Sequence, residues 1–142
     1  MTMVTSCFCK VLLANSSGAS FATKEQGNIT LNGSRSNDPY STEARPLTFT
    51  WFCSRSHETL PENYSLPVVD APNDNASLLG GCFGYGPGRL SRRENVINVE
   101  VDKMEEKQTY VFELLVSNSV KSSRAIHWLL VKNQLQASYF IR

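Results

Sequence analysis

The residues best suited to metal or acid–base chemistry are His57 and Glu58, which are adjacent in the chain. A helical zinc-protease site needs a second histidine four residues after the first, so that both lie on one face of a helix. Pro61 occupies that position, and a proline there also breaks a helix. His127 is the other histidine of the sequence, and two histidines make a poor zinc site. We therefore expect no metal ion and no cofactor.

Two further arrangements near His57 resemble catalytic motifs in composition. Ser54 and Ser56 lie too close to His57 in sequence to form a nucleophile–base pair, and no strand–turn–helix presents them. The glycine-rich stretch 80–88 lacks both the Lys-Ser/Thr pair and the following helix of a phosphate-binding loop. We expect the serines to lie in a surface loop and the glycines to let the backbone turn around a disulfide. The sequence offers no convergent cluster of titratable groups, so it predicts a protein that is not an enzyme.

Oxygen-bearing side chains of the kind that calcium prefers occur in two turn segments. They are Asn37, Asp38, Asp70, Asn73 and Asp74. Asn and Asp are also common in turns, because their side chains hydrogen-bond to neighbouring backbone groups. We therefore favour turn chemistry over a calcium site.

A small group of exposed-type residues could contact a partner. The formal net charge of +1 excludes the broad basic field that nucleic-acid binders use. The possible contact residues are Arg89, Arg92, Arg93 and Tyr85. The arginines could bind sulfated glycans or an acidic protein surface. They could equally be ordinary solvent-exposed side chains with no binding role. Tyr64, Phe83 and Tyr85 could be exposed contacts or a satellite core, and the sequence leaves both readings open.

The element that must position these residues is a strand over 47–53. Side chains alternate in a strand, so one face carries Leu47, Phe49, Trp51 and Cys53. β-Branched and aromatic residues fill this stretch, and Pro46 stands just before it, where a missing N–H does no harm. An inward Trp beside a Cys is typical of the central strand of a β-sandwich.

The same alternation predicts further strands over 28–32, 95–101, 109–117 and 124–131, with edge strands over 7–14 and 19–22 around a turn at 15–18. The strand over 109–117 directs Tyr110, Phe112, Leu114 and Val116 to one side, and the Tyr110 hydroxyl is expected to anchor the preceding corner. The strand over 124–131 is apolar on both faces, which predicts a strand covered on two sides or one contacting a neighbouring domain. No segment shows helical periodicity, so the chain is predicted to be all-β.

Four cysteines are too few for a disulfide-built scaffold of this length and are not spaced as a zinc site. Cys7 and Cys9 cannot easily bridge to each other, because residues two apart in a strand point the same way. Cys53 and Cys82 are the better pair. Their bond would close a loop of about 30 residues across the long irregular segment 54–93, and four buried reduced thiols are the alternative.

Asparagine gives the strongest indication of compartment. Five asparagines fit the N-x-Ser/Thr acceptor pattern, where about two would arise by chance in so Ser- and Thr-rich a chain. These glycosylation candidates are Asn15, Asn28, Asn32, Asn63 and Asn75. The excess indicates a secreted or cell-surface protein. The first 22 residues lack the basic start of an export signal and Lys10 interrupts their apolar run, so we expect Met1 to be an engineered start or a fragment boundary.

Two segments resemble a known family. The stretch from Leu31 to Pro39 followed by 46–51 is similar to the "L-x-G-S-x-S-x-D-P … P-L-x-Y-x-W" signature of polycystic kidney disease (PKD) repeats. Residues 109–118 resemble the "Y-x-F-x-L-x-V-S-N" strand of those repeats. The form Trp51-Phe52-Cys53 resembles the receptor-for-egg-jelly (REJ) region of polycystin-1-like proteins, and the "W-D-F-G-D-G" of ordinary PKD repeats is absent.

This resemblance implies an immunoglobulin- or fibronectin-type β-sandwich over residues 1–133, with 134–142 a linker or the start of another repeat. It implies a non-catalytic extracellular module of a membrane glycoprotein, serving adhesion, ligand contact or force-bearing support of a cation-channel-associated receptor. The expected partners are neighbouring domains and a protein or glycan at the cell surface, not nucleic acid. The alternative is a carbohydrate-binding or accessory sandwich of a secreted hydrolase, which a planar row of exposed aromatics on one sheet would favour.

Overall fold

Strands account for nearly all the regular structure in the described part of this protein. The computed structural model describes residues 14, 17–38, 46–60, 67–71 and 79–133. Its strands are β1 (Ser17–Gly18), β2 (Phe21–Thr23), β3 (Asn28–Asn32), β4 (Thr48–Arg55), β5 (Gly88–Arg89), β6 (Val96–Glu100), β7 (Thr109–Ser117) and β8 (Ser122–Lys132). One 3₁₀ turn, Lys24–Gln26, joins β2 to β3. In this described part, no helix has the length and apolarity needed to cross a bilayer.

The strands form two sheets, ordered β1-β3-β6 and β2-β8-β7-β4-β5. All pairs are antiparallel except β2 with β8, which run parallel. The order β8-β7-β4-β5 matches the G-F-C-C′ order of variable-type immunoglobulin domains, and β3 and β6 stand where strands B and E stand. The predicted all-β, immunoglobulin-like sandwich is therefore confirmed.

The core lies between the two sheets and is built by side-chain alternation. In β7 the inward residues Tyr110, Phe112 and Leu114 are fully buried. In β4, Trp51 and Cys53 are fully buried, and Phe49 is half-buried against the same core. Trp51 lies opposite Leu114. The other sheet supplies Ile29, Leu31, Ile97 and Val99, which close the core from the opposite side.

Two buried aromatic side chains each find a polar partner, because their N–H or O–H cannot reach water. The Trp51 Nε1–H donates to the carbonyl oxygen of Glu94 at 2.9 Å. The Tyr110 hydroxyl accepts from the backbone N–H of Glu105 at 2.8 Å. Tyr110 therefore anchors the corner before β7, as its position at the start of that strand predicted.

The beginning of the chain differs from the prediction. Residues 15–18 were expected to be a turn, yet Ser17–Gly18 form β1 and pair with Asn32 and Leu31. A Cβ at Gly18 would lie 2.7 Å from the carbonyl oxygen of Thr30, so glycine permits this close approach. The chain then crosses to the other sheet as β2. The strand expected over 7–14 lies outside the described residues, apart from Ala14.

Two other boundaries also shift. β4 continues through Ser54 to Arg55, so Ser54 is a buried strand residue, and its expected place in a surface loop is wrong. The final strand runs from Ser122 to Lys132, longer at both ends than the predicted 124–131. Antiparallel pairing with β7 adds Ser54 to β4 and Ser122 to β8, through Val111 and Ser117. At the other end of β8, Lys132 pairs in parallel with Thr23.

Candidate interaction surfaces

A disulfide holds the segment between β4 and β5 against the sandwich. Cys53 and Cys82 are bonded, as predicted, and both are almost completely buried. The bond joins the middle of β4 to the glycine-rich loop, so the loop that precedes β5 cannot drift from the sheet. Cys7 and Cys9 lie outside the described residues.

Glu58 also holds this loop, through contacts that its sequence neighbours do not predict. Its carboxylate accepts hydrogen bonds from the backbone N–H of Arg55 at 2.7 Å and of Gly81 at 2.9 Å. The Arg55 side chain donates in turn to the Gly81 carbonyl at 3.0 Å and forms an ion pair with Glu105. Gly81 has a φ of +68°, and a Cβ there would overlap Gly86, so glycine is required. Glu58 thus acts as a structural link, and His57 beside it is exposed.

The four predicted contact residues line two different grooves. Arg92 and Tyr85 line one groove of about 360 Å³, whose wall also includes Asp70 and Lys103. Arg89 and Arg93 line a different groove, at the outer face of β4 and β7. The three arginines therefore do not converge on a single anion site.

The aromatic residues of the same segment lie close to the core. Phe83 and Tyr85 are partly buried and pack against the core cluster. This places them as a satellite of the core under the loop. Tyr64 lies outside the described residues.

The described Asn and Asp candidates each bond to protein groups. Asp38 pairs with Lys121 at 3.0 Å, and the Asn37 side chain donates to the Arg35 carbonyl at 3.1 Å. The carboxylate of Asp70 accepts from the backbone N–H of Ser91 at 2.7 Å. Of these three contacts, that of Asn37 alone is local turn chemistry, since Asp38 and Asp70 bond to residues 83 and 21 positions away. The preference for turn chemistry over calcium stays a prediction. Asn73 and Asp74 lie outside the described residues.

The outer face of the three-stranded sheet is largely polar. Asn28, Thr30, Asn98 and Glu100 are exposed on it, and the Thr30 hydroxyl donates to the Asn98 carboxamide oxygen at 2.8 Å. Asn32 is half-buried, and its side-chain oxygen accepts from the hydroxyl and the N–H of Ser34. Of the five acceptor asparagines, Asn28 and Asn32 lie within the described residues, and Asn15, Asn63 and Asn75 do not.

The outer face of the five-stranded sheet is different, because large apolar side chains reach the solvent there. Ile126 and Trp128 of β8 are 56% and 55% exposed, and Phe21 of β2 is 56% exposed. The sequence predicted that β8 is either covered on both faces or in contact with a neighbouring domain. The described residues of this chain do not cover its outer face. The outer faces of the two sheets therefore differ, and Phe21, Ile126 and Trp128 make this one the more apolar.

A charged pair lies at the centre of this apolar face. Arg124 of β8 donates to the Glu113 carboxylate at 2.6 Å, and its guanidinium lies 5.7 Å from the centre of the Phe52 ring. Phe52 is thereby buried although it points away from the core. Next to the pair, a groove of about 610 Å³ runs between Trp128 and Ile126 on one side and residues 56–60 on the other.

Comparison with known families assigns the chain. A family model described as REJ domain matches residues 13–141. This chain belongs to the REJ domain family. The match spans the whole described sandwich, which confirms the resemblance carried by Trp51-Phe52-Cys53. No curated protein and no solved structure matches the chain.

Within this REJ domain, sequence reasoning found the core better than the surface. Trp51, Tyr110 and Leu114 were found because alternation along a strand is a local property. Glu58 was missed because its role depends on a contact with Gly81, 23 residues later. The exposure of Trp128 was missed as well, since an apolar run does not reveal which of its faces is covered.

Proposed function

We propose that this REJ domain is a non-catalytic, PKD-type module in the extracellular part of a polycystin-like cell-surface glycoprotein. It serves adhesion, ligand contact or force-bearing support of a cation-channel-associated receptor. Membership of the REJ family supports the extracellular setting, since REJ domains are extracellular in polycystins. The buried disulfide fits an oxidising compartment.

The observation that supports the force-bearing role is the parallel pairing of β2 and β8, which are the first and last strands of the five-stranded sheet along the chain. Phe21, Ala22 and Thr23 of β2 pair with Leu130, Val131 and Lys132 of β8. The chain enters β2 from its N-terminal side and leaves β8 towards its C-terminal side. A pull on the two ends therefore acts along both strands in opposite directions, and the hydrogen bonds between them are loaded together rather than one by one.

A non-catalytic role is supported by the use of the acidic side chains. Glu58, Asp38 and Asp70 each accept hydrogen bonds from groups of distant loops, which ties them to the fold. Glu113 is paired with Arg124. A carboxylate with these partners holds backbone groups and cationic side chains in position. This use favours a structural role for it over proton transfer to a substrate.

Single-molecule pulling tests the mechanical role. The backbone of Leu130 donates to Ser20, so alternation directs the backbone of Ser20 and Ala22 towards β8 and that of Phe21 away from it. Ala22→Pro removes an N–H that faces β8 and should lower the unfolding force. Phe21→Pro is the matched control, because it removes an N–H that faces away. Equal forces for the wild type and both variants would refute the load-bearing role of this pair.

The cell-surface setting has a separate test. Secretion of the chain from eukaryotic cells, followed by intact mass measurement with and without glycan removal and reduction, should show N-glycans and a disulfide. Asn28→Gln and Thr30→Val destroy the same acceptor triplet and should remove the same glycan mass. An unglycosylated, fully reduced product would contradict the extracellular assignment.

A second candidate function is carbohydrate binding, and one observation favours it. Phe21 and Trp128 expose aromatic rings on the same outer face, with the Lys132 ammonium 4.1 Å from the centre of the Phe21 ring. Exposed rings can stack on the apolar face of a sugar. Trp128→Ala should then abolish retention on a polysaccharide column, whereas Val120→Ala, an exposed turn residue, should not. Unchanged retention of the Trp128 variant would remove this candidate.

A further inference from the structure

Asn32 ends β3, and together with Gly33 it forms the single Asn-Gly step of the sequence. Asparagine followed by glycine is prone to deamidation, because glycine has no side chain to hinder attack of its backbone nitrogen on the asparagine carboxamide. The Gly33 nitrogen bonds to Cγ of Asn32, the Cγ–Nδ2 bond breaks, and Nδ2 leaves as ammonia with the Gly33 amide proton. Water then opens the resulting succinimide at either of its two carbonyls. The products are aspartate and isoaspartate, and the reaction needs no oxidant or reductant.

The folded chain fixes both groups that would react. The Gly33 N–H donates to the carbonyl oxygen of Asn95 at 2.7 Å. The Asn32 Oδ1 accepts from the backbone N–H of Ser34 at 2.8 Å and from the Ser34 hydroxyl at 2.6 Å. The attacking nitrogen and the carboxamide are thus each held by a partner of their own. Ring closure also removes the hydrogen that Gly33 shares with Asn95.

The position of Gly33 decides whether the attack can occur. Hydrogen bonds to Oδ1 by themselves would assist it, because negative charge develops on this oxygen. However, Gly33 is buried, and a Cβ there would lie 2.6 Å from Cδ2 of Leu114 and 3.3 Å from Cζ2 of Trp51. Asn32 itself is paired on both sides, with β1 and with β6. The Gly33 peptide therefore cannot turn towards Cγ while β3 remains paired.

We propose that Asn32 is a deamidation site that the fold keeps closed, and that it reacts when the end of β3 separates from β6. The modification then marks chains in which this end of the sandwich has been open. Local openings at the ends of strands cost less free energy than global unfolding. The inference does not rest on the proposed function, because the reaction needs this chain and water alone.

The two products should differ in their effect on the fold. Aspartate at position 32 keeps a side-chain oxygen in the place of Oδ1, where the Ser34 donors still reach it. Isoaspartate instead carries the main chain through the side-chain methylene, which adds one backbone atom before Gly33. The Gly33 N–H is then displaced from Asn95, and the close packing of Gly33 against Leu114 is lost. Formation of isoaspartate should therefore prevent this end of the sandwich from closing again.

Peptide mapping that resolves asparagine, aspartate and isoaspartate tests the proposal on the whole chain. The chain is made in bacteria, because a glycan at Asn32 would occupy the Nδ2 leaving group. At mildly alkaline pH, the reaction at Asn32 should be at least about tenfold slower in native buffer than in urea. In urea, where packing plays no part, Gly33→Ala should slow the reaction because the added methyl group hinders the nitrogen. Equal rates in native buffer and in urea, or an unchanged rate in the Gly33 variant, would overturn the proposal.

A second Asn-Gly step in the same molecule provides the matched control. Arg92→Asn with Arg93→Gly places this step in an exposed segment before β6. It should react about as fast in native buffer as in urea, and well ahead of Asn32. Amide hydrogen exchange locates the opening, since low urea concentrations should speed the reaction at Asn32 and the exchange of the Gly33 N–H by the same factor. Equal native rates at the two steps, or a faster reaction with unchanged Gly33 exchange, would overturn the proposal.

Discussion

The carboxylate of Asp38 lies 3.0 Å from the ammonium of Lys121, although the two residues are 83 positions apart in the chain. Asp38 follows β3, and Lys121 belongs to the turn between β7 and β8, so the pair joins the two sheets at one end of the sandwich. The Asp38 side chain is 8% exposed and also accepts from the Asn118 side chain at 3.2 Å. A carboxylate so well shielded is stabilising only while its partners remain.

Removal of the Asp38 carboxylate should therefore destabilise the domain. We expect Asp38→Ala to lower the free energy of unfolding in urea by about 1–3 kcal/mol, because the half-buried side chains of Lys121 and Asn118 lose their acceptor. The matched control is the exposed pair of Lys103 and Glu100, at 3.4 Å. Lys103→Met should cost less than about 1 kcal/mol, since surface pairs are well solvated. An equal loss in both variants would contradict the structural role of Asp38.

The two tryptophans should differ strongly in the stability that truncation costs. Trp51 is fully buried, so Trp51→Ala should leave a cavity, free the Glu94 carbonyl and cost about 3–5 kcal/mol. Trp128 is 55% exposed, and Trp128→Ala should cost about 1 kcal/mol or less. Thermal and chemical unfolding of the two variants measures the difference. A melting temperature indifferent to the loss of Trp51 would contradict its place in the core.

Tyr110 should make stability fall at high pH. Burial raises the pKa of its phenol above the ordinary value, and the hydrogen bond from Glu105 opposes this shift only in part. The unfolded chain loses the Tyr110 proton near pH 10, before the folded chain does, so stability is retained below that pH and declines as the pH rises above it.

Tyr110→Phe separates this effect from the titration of other groups. The variant should lose about 0.5–1.5 kcal/mol at pH 7, because the Glu105 N–H keeps no acceptor in the corner. Its free energy of unfolding should then decline less steeply than that of the wild type between pH 9 and about 11. Parallel declines would show that Tyr110 ionises equally in the folded and unfolded chains.

The disulfide should resist reduction in the folded protein. Cys53 and Cys82 are 0% and 2% exposed, so thiolate reagents reach them only after unfolding. Alkylation and mass measurement should find the bond intact after native treatment with dithiothreitol and reduced when urea is added. The double variant Cys53→Ala/Cys82→Ala should lose about 3 kcal/mol of stability. Rapid reduction under native conditions would show that the loop opens without global unfolding.

The sequence by itself determined the strands whose side chains alternate between core and solvent. β3 and β7 have the predicted bounds, 28–32 and 109–117, because alternating apolar residues set one face of a strand inward whatever its partner is. The place of Trp51 in the interior followed from the same local pattern, whereas the Cys53–Cys82 bond was predicted from the number and spacing of the cysteines. The corner at Tyr110 also followed, since its partner Glu105 is five residues away.

Only the tertiary structure decided which surfaces stay open. β8 is apolar on both faces, and the sequence could not tell that Leu129 would meet the core while Trp128 would meet solvent. Arg92 and Arg93 are adjacent in the chain but line different grooves. Exposure, grooves and ion pairs such as Asp38 with Lys121 depend on segments that folding brings together from distant parts of the chain. The physical reason is that burial is a property of the neighbours, and a sequence pattern specifies only the residue itself.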